Sequence, residues 1–284
     1  MKLVTFISRG KELPGVISED GTFVIPLEGW PSLEAFIAGC AGESPAKKIP
    51  DGKGIPLSEV KLTAPIPNPR HDLLCIGQNY LAHAIESCQF KGVEYVKPQH
   101  PVYFGKRVNR AVADGEEIPS HNDITKQLDY EVELAVVIGK RCDHVAPEDV
   151  FDHIFGYTIV NDISARDLQY AHTQYTFGKS LDGAAPMGPC IVTADEFQAP
   201  PDLRLTTKIN GELRQDSRTS DFIFNIPYII SELSGGIVLE PGDIIITGTP
   251  SGVGMGLKPP AFLMPGDVIE CEIEGIGTLT NTVK

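Results

Sequence analysis

The segment Tyr130–Ile138, Tyr-Glu-Val-Glu-Leu-Ala-Val-Val-Ile, constrains this chain more than any other. It alternates polar and apolar at its start and then runs apolar without a break, which reads as a strong strand. Residues two apart on a strand point to the same side, so Glu131 and Glu133 face one way beside the apolar run Leu134–Ile138. Two like charges on a partly buried face repel, and desolvating them is costly unless a cation joins them. An exposed strand edge with both acids in water has the same spacing.

Other segments repeat the β signal. Lys2–Ile7 alternates, and Gly15–Ile25 reads as two short strands around the turn Glu19-Asp20-Gly21. Leu73–Ile76, Ile154–Val160 and Leu203–Ile209 read as strands, the last meeting the hairpin turn Asn210-Gly211. Pro241-Gly242-Asp243 and Pro265-Gly266-Asp267 each precede an apolar strand, as turn-plus-strand pieces of a mostly antiparallel sheet. Helices are few. One is expected near Ser32–Ala38, with Ser32 as N-cap and Gly39 after its end. Others are expected from Tyr80 to about Gln89 and over Ile226–Leu233, while residues 41–56 read as loop. The fold class is mainly β with few helices (α+β). The stiff connector Pro65-Ile66-Pro67-Asn68-Pro69 divides a small β-rich N-terminal unit, 1–66, from a larger domain, 71–284.

A length of 284 residues suits one large domain or two unequal ones at about 150 residues each. A net charge of −14 argues against nucleic acid and against an anionic membrane surface. The six cysteines are scattered without a C-x-x-C pair, which suits a reducing compartment and not a zinc knuckle. The N-terminal apolar run is too short for a signal peptide, and no stretch reaches the ~18 apolar residues of a membrane span. The expected location is the cytoplasm.

A third carboxylate joins the first two. Asp162 ends the strand Ile154–Val160 within Asn161-Asp162-Ile163-Ser164-Ala165-Arg166-Asp167. Three carboxylates without cysteine make a hard oxygen site suited to Mg²⁺ or Mn²⁺, with about three positions left for water and substrate. Asp129 has the parity to join the same face, as a supporting or strand-start residue. His83 and Glu86 are i and i+3 on a helix, where a carboxylate orients an imidazole and raises its basicity; a surface pair has the same spacing. Arg166, Gln169 and Lys179 supply donors for a carboxylate. Three carboxylates and a divalent ion sum to −1, and Arg166 with Lys179 brings the sum to +1. Such a site would hold an anion despite the chain's overall charge. Arg166 paired structurally with Asp167 is the alternative. The glycine-rich run Thr247–Gly256 lacks both a phosphate-loop lysine and a following helix, so it reads as a tight loop, not a nucleotide site.

These strings together resemble the fumarylacetoacetate hydrolase family. They are Ile76-Gly77-Gln78-Asn79-Tyr80 with His83 and Glu86, Asp129–Leu134, Asn161–Gln169, Gly178-Lys179-Ser180, Asn210-Gly211-Glu212 and Thr247–Gly254. The match runs in order over roughly 71–284. Gln78 departs from it, because many relatives carry another residue before Asn-Tyr.

The resemblance implies a mixed β-sandwich roll behind a small N-terminal domain, usually as a homodimer. It implies Glu131, Glu133 and Asp162 as ligands of Mg²⁺ or Mn²⁺. His83 and Glu86 would be the water-activating dyad on a segment that closes over the site, with Lys179 also catalytic. Arg166, Gln169, Lys179 and Thr249 would hold a small 2-oxo or diketo acid. The expected reaction is hydrolysis of a C–C bond in a 1,3-diketo acid such as an acylpyruvate. Decarboxylation of a β-keto acid such as oxaloacetate and isomerisation of a 2-oxo-enoic diacid are alternatives on the same site. A non-catalytic metal and carboxylate-binding protein is the alternative of another class.

Overall fold

The computed structural model describes residues 1–50, 52 and 54–284. The chain opens as an antiparallel meander of β1 (Lys2–Ser8), β2 (Lys11–Ile17) and β3 (Phe23–Pro26). Asp20 closes the second turn, accepting from the Ser18 hydroxyl at 2.6 Å and the Thr22 N–H at 3.0 Å. α1 (Leu33–Cys40) follows, and the Ser32 hydroxyl caps it by accepting from the Ala35 N–H at 3.1 Å. The helix runs past its expected end. Gly39 lies inside it because the Trp30 ring covers that position, where a Cβ would come within 2.1 Å of the indole. The left-handed cap is Ala41 at φ 50. The expected loop at 41–56 contains a short 3₁₀ turn, Pro45–Lys48, and β4 (Ile55–Pro56); its residues Asp51 and Lys53 lie outside the described residues.

The remaining elements are β5 (Lys61–Thr63), β6 (Leu73–Gly77), α2 (Leu81–Lys91), β7 (Val102–Lys106), β8 (Glu117–Ile118), β9 (Leu128–Asp129) and β10 (Val132–Ile138). After them come β11 (Ile154–Asn161), β12 (Ser164–Ala165), α3 (Arg166–Ala171), α4 (Thr176–Lys179), β13 (Met187–Thr193), β14 (Arg204–Ile209) and β15 (Glu212–Arg218). The chain closes with α5 (Ile226–Ser234), β16 (Ile244–Ile246), β17 (Val268–Ile273) and β18 (Gly277–Val283). The protein is mainly β, in mixed sheets. The large sheet runs β4-β3-β2-β1-β13-β11-β10-β16-β6-β7, with β5 also on β1, and a second runs β15-β14-β17-β18-β8. β1 pairs with β13, so the first 66 residues and the rest share one sheet. Among the described strands two pairings are parallel, β16 with β6 and β18 with β8.

β10 shows why its sequence is apolar at every step. Leu134, Val136 and Ile138 enter the core between the two sheets, with Leu205 of β14 and Ile273 of β17. Ala135 and Val137 enter the opposite core, with Phe36 and Ile37 of α1. A strand covered on both faces has no exposed side to make polar. The Pro-Gly-Asp turns are built alike. Asp243 accepts from the Glu240 N–H and Asp267 from the Met264 N–H, each at 2.8 Å. Asn210 (φ 51) and Gly211 (φ 80) make the β14–β15 turn left-handed at both positions, as a tight hairpin requires. All six cysteines are free, and no helix among the described residues is long and apolar enough to cross a membrane.

The centre of the large sheet leaves no room beside Gly156 of β11. A Cβ there would lie 2.2 Å from the Val192 carbonyl oxygen on β13. Gly156→Ala should therefore destabilise the protein by about 2–3 kcal/mol, seen as a lower denaturant midpoint at unchanged slope. An unaltered midpoint would show that the two strands part without strain.

Candidate metal centre and active site

Glu131 immediately precedes β10 and Glu133 is its second residue, so their side chains share one face. The β10–β11 ladder sets Val132 opposite Asn161, which brings the next residue, Asp162, to the same end. Two hydrogen bonds fix the junction: the Asp162 N–H donates to the Glu131 carbonyl at 2.8 Å, and the Asn161 side-chain oxygen accepts from the Glu131 N–H at 2.9 Å. One carboxylate oxygen from each of Glu131, Glu133 and Asp162 lies within 4.8 Å of the others, and all three residues are buried.

Three buried cations face these acids. Lys179 Nζ donates to Glu131 Oε2 at 2.7 Å and to Asp162 Oδ2 at 2.5 Å. Arg166 Nη1 lies 2.6 Å from Glu131 Oε1, and its Nε donates to Asp129 Oδ2 at 2.9 Å. The partner of Arg166 is thus Asp129 with Glu131; Asp167 instead accepts from the Thr125 hydroxyl and the Lys126 N–H. The third cation is Lys106, which sequence reasoning missed. It ends β7, is fully buried, and places Nζ 2.7 Å from Asp162 Oδ1. The angle there makes no hydrogen bond, so Oδ1 has a charge beside it but a free lone pair. Nothing in the sequence separates Lys106 from a surface lysine at a strand end.

Asp129 is more than a strand-start residue. Besides Arg166 it accepts from the Gly254 N–H at 2.7 Å and the Met255 N–H at 3.0 Å. Four carboxylates and three cations sum to −4 + 3 = −1. Their ionisation divides accordingly. Burial opposes the charge on Glu131, but Lys179 and Arg166 outweigh it and hold that carboxylate low. Burial, then the charges of Asp162 and Glu131, push Glu133 well above the usual carboxylate range. Burial also opposes the charge on Lys179, yet Asp162 and Glu131 raise it above the ordinary lysine value. Clustered hard oxygens, one with an unused lone pair, and a carboxyl whose charge burial and its acidic neighbours disfavour suit a divalent ion.

His83 and Glu86 sit on α2 and meet as their spacing requires, His83 Nδ1 to Glu86 Oε2 at 3.2 Å. The glycine-rich loop completes the pair. The Gly252 N–H donates to Glu86 Oε1 at 3.1 Å, and a Cβ on Gly256 would stand 1.9 Å from the same oxygen. The Gly248 N–H donates to Glu133 Oε2 at 2.6 Å. This loop therefore spends its backbone donors on the protein's own carboxylates Glu133, Glu86 and Asp129.

A small cavity joins these groups. Its wall includes His83, Glu131, Glu133, Arg166, Gln169, Lys179 and Thr249. Asp162 and Glu86 stand behind Lys179 and His83. Gln169 accepts from Arg166 Nη1 at 3.1 Å, whereas Arg166 Nη2 is buried with no partner. The Thr249 hydroxyl donates to the Val132 carbonyl at 2.9 Å and accepts from Gln215 at 2.8 Å, so the framework holds it. Gln78, Ser87, Tyr170 and Tyr175 also line the cavity, outside the predicted set.

Comparison with known proteins places this geometry. The family model described as fumarylacetoacetate (FAA) hydrolase C-terminal matches residues 72–284. A protein named oxaloacetate tautomerase YisK, from Bacillus subtilis (strain 168), is 54% identical over 227 residues, or 80% of this chain and 74% of that protein. A fumarylacetoacetate hydrolase (EaFAH) from psychrophilic Exiguobacterium antarcticum superposes with a TM-score of 0.88 at 40% identity, covering 100% of this chain and 99% of that one. A 5-carboxymethyl-2-hydroxymuconate delta-isomerase from Mycobacterium smegmatis superposes with a TM-score of 0.79 at 33% identity, over 100% and 99%.

Two outcomes follow from the geometry. The folded protein raises the Glu133 carboxyl well above its unfolded value, so metal-free stability should fall as pH rises above the usual carboxylate range. With chelator present, Glu133→Gln should be more stable than wild type near pH 8, and the gap should close towards about pH 5. Denaturation at several pH values reads this; a gap independent of pH would mean that Glu133 is ionised. Separately, Gly256→Ala should dislodge Glu86 and lower turnover by about 10-fold or more while Mn²⁺ affinity holds. Full turnover would mean that Glu86 has a second seat.

Proposed function

Because the chain belongs to the fumarylacetoacetate hydrolase family, we propose that it is a divalent-metal-dependent enzyme of short 2-oxo diacids, with keto–enol tautomerisation as its first activity. The observation that carries this reading is the placing of His83, braced by Glu86, in one small cavity with Glu131 and Glu133 of the carboxylate triad and the cations Arg166 and Lys179. Glu131, Glu133 and Asp162 would hold Mg²⁺ or Mn²⁺. The ion, when bound, supplies a Lewis acid that makes negative charge on a 2-oxo oxygen less costly.

The chain's own groups do the rest. Arg166, through its unpartnered Nη2, and Lys179 receive carboxylate charge. The His83 imidazole takes a proton from C3, and its conjugate acid returns that proton to the 2-oxo oxygen. The reverse order turns enol to ketone, and no carbon–carbon bond breaks. Glu86 keeps the ring in one tautomer and one orientation. A short diacid is supported by the cavity's polar wall and by the name of the Bacillus relative.

Hydrolysis of a 1,3-diketo acid is the second reading, favoured by the same dyad, which can draw a proton from water, and by likeness to the Exiguobacterium hydrolase. Oxaloacetate decarboxylation would need the cations but no base. The proposal takes the assembly to be a homodimer in the cytoplasm. It also treats residues 1–66 as a unit supplying no site residue to 71–284; the family match begins at residue 72.

The test is direct. Chelated protein restored with Mg²⁺ or Mn²⁺ should speed the decay of enol oxaloacetate absorbance. His83→Ala should slow it by about 10²–10⁴-fold, and adding Glu86→Gln should cost little more. Pyruvate release and acylpyruvate cleavage are followed in parallel. Cleavage outrunning tautomerisation would replace the first reading with hydrolysis, and full activity after chelation would remove the metal from both.

A further inference from the structure

α2 carries the dyad yet has almost nothing apolar holding it. Of its eleven residues only His83, Ala84 and Ser87 are buried, and its start has no side-chain cap. Leu81 and Ile85 are exposed on the far side. Hydrophobic packing therefore does not fix the rotation of this helix about its axis, and the polar contacts on its cavity face must. Two such contacts exist. One is Glu86 on the Gly252 N–H. The other is Ser87, whose hydroxyl accepts from Gln78 Nε2 at 3.1 Å.

Ser87 lies four residues after His83, on the same face of the helix, and both line the cavity. Gln78 directly follows β6 in the left-handed region at φ 56, where glycine is the usual occupant and a residue with a Cβ is strained. Its neighbour is pinned: Asn79 donates to the Thr247 carbonyl at 2.8 Å and accepts from the Phe224 N–H at 2.8 Å. A strained backbone held between fixed neighbours sends the Gln78 amide into the cavity, towards α2.

We infer that Gln78 is a positioning residue for the His83–Glu86 pair, acting through Ser87 to hold the catalytic face of α2 towards the triad. It makes no contact with the reacting atoms. The inference rests on the reading of His83 as the base.

The experiment uses Gln78→Gly, Ser87→Ala and the double variant in Mn²⁺-loaded full-length protein. Gln78→Gly relieves the left-handed strain while deleting the amide, so it separates the two roles of this residue. Its thermal midpoint should equal or exceed that of wild type, while kcat falls about 2- to 12-fold at unchanged KM. Ser87→Ala should lose a similar factor, and the double variant should lose no more than the worse single. Amide hydrogen exchange in α2 should quicken in each. A raised KM with kcat intact would overturn the inference, making Gln78 a substrate contact, and so would additive losses. Should wild type turn over no 2-oxo acid, the proposed function fails, and exchange in α2 still decides the tether: quickened exchange supports it, and unchanged exchange in both single variants overturns it.

Discussion

Seven charged side chains packed at one end of β10 govern much of this structure. Asp129, Glu131, Glu133 and Asp162 face Lys106, Arg166 and Lys179, and each is at most 5% exposed. A buried charge that loses its partner destabilises by about 3–5 kcal/mol, so no ionised member can be removed quietly. With Glu133 neutral the set sums to zero; with every carboxylate ionised and a divalent ion added it sums to −4 + 3 + 2 = +1. The pocket is thus close to balance in both states. Gaining a divalent ion and releasing one proton would move it by a single charge, to a sign that would attract an anion although the whole chain carries −14.

The fold serves that cluster by keeping it dry and by aiming it. β10 is covered on both faces, so its end opens into protein and not into water. The ladder register between β10 and β11 converts two separate stretches of chain into one triad. The loop from Thr247 to Gly256 then turns backbone N–H groups towards Glu133, Glu86 and Asp129. Glycine is needed where chain and carboxylate meet most closely. At Gly252, with φ 99, a Cβ would lie 1.9 Å from the Arg214 carbonyl oxygen, and at Gly256 it would take the place of the Glu86 carboxylate. One loop thereby fixes a triad carboxylate, the partner of the histidine and the aspartate that steadies Arg166.

How much of this could be read beforehand depended on whether the signal was periodic. Glu131 and Glu133 were legible because a strand repeats every two residues, and His83 with Glu86 because a helix returns in three or four. Asp162 followed from its place at the end of an apolar strand. Lys106 was not legible: one lysine closing Val102–Lys106 carries no periodic mark, and only the folded sheet sets it against Asp162. Arg166 was ambiguous for a related reason, since Asp167 is its neighbour in sequence whereas Asp129 is its neighbour in space. Gly39 illustrates the opposite error. Its composition signals a helix end, but the ring of Trp30 had claimed that face of the helix.

Order and looseness are divided unequally across the site. The acids sit at strand ends and Arg166 and Lys179 on the short helices α3 and α4, all locked by short contacts among buried groups. The histidine instead rides on a helix whose only buried apolar residue is an alanine. Further along, Phe90 packs on Tyr170 with ring centres 5.9 Å apart, and Lys91 lies 4.8 Å over the same ring. These are surface contacts that exchange readily with water. An element held this way is cheap to lift, because lifting it exposes little apolar surface and breaks a few replaceable polar contacts. Under the proposed function that division has a use: rigid, balanced charges would stay in place while a lightly held helix presents the histidine to them.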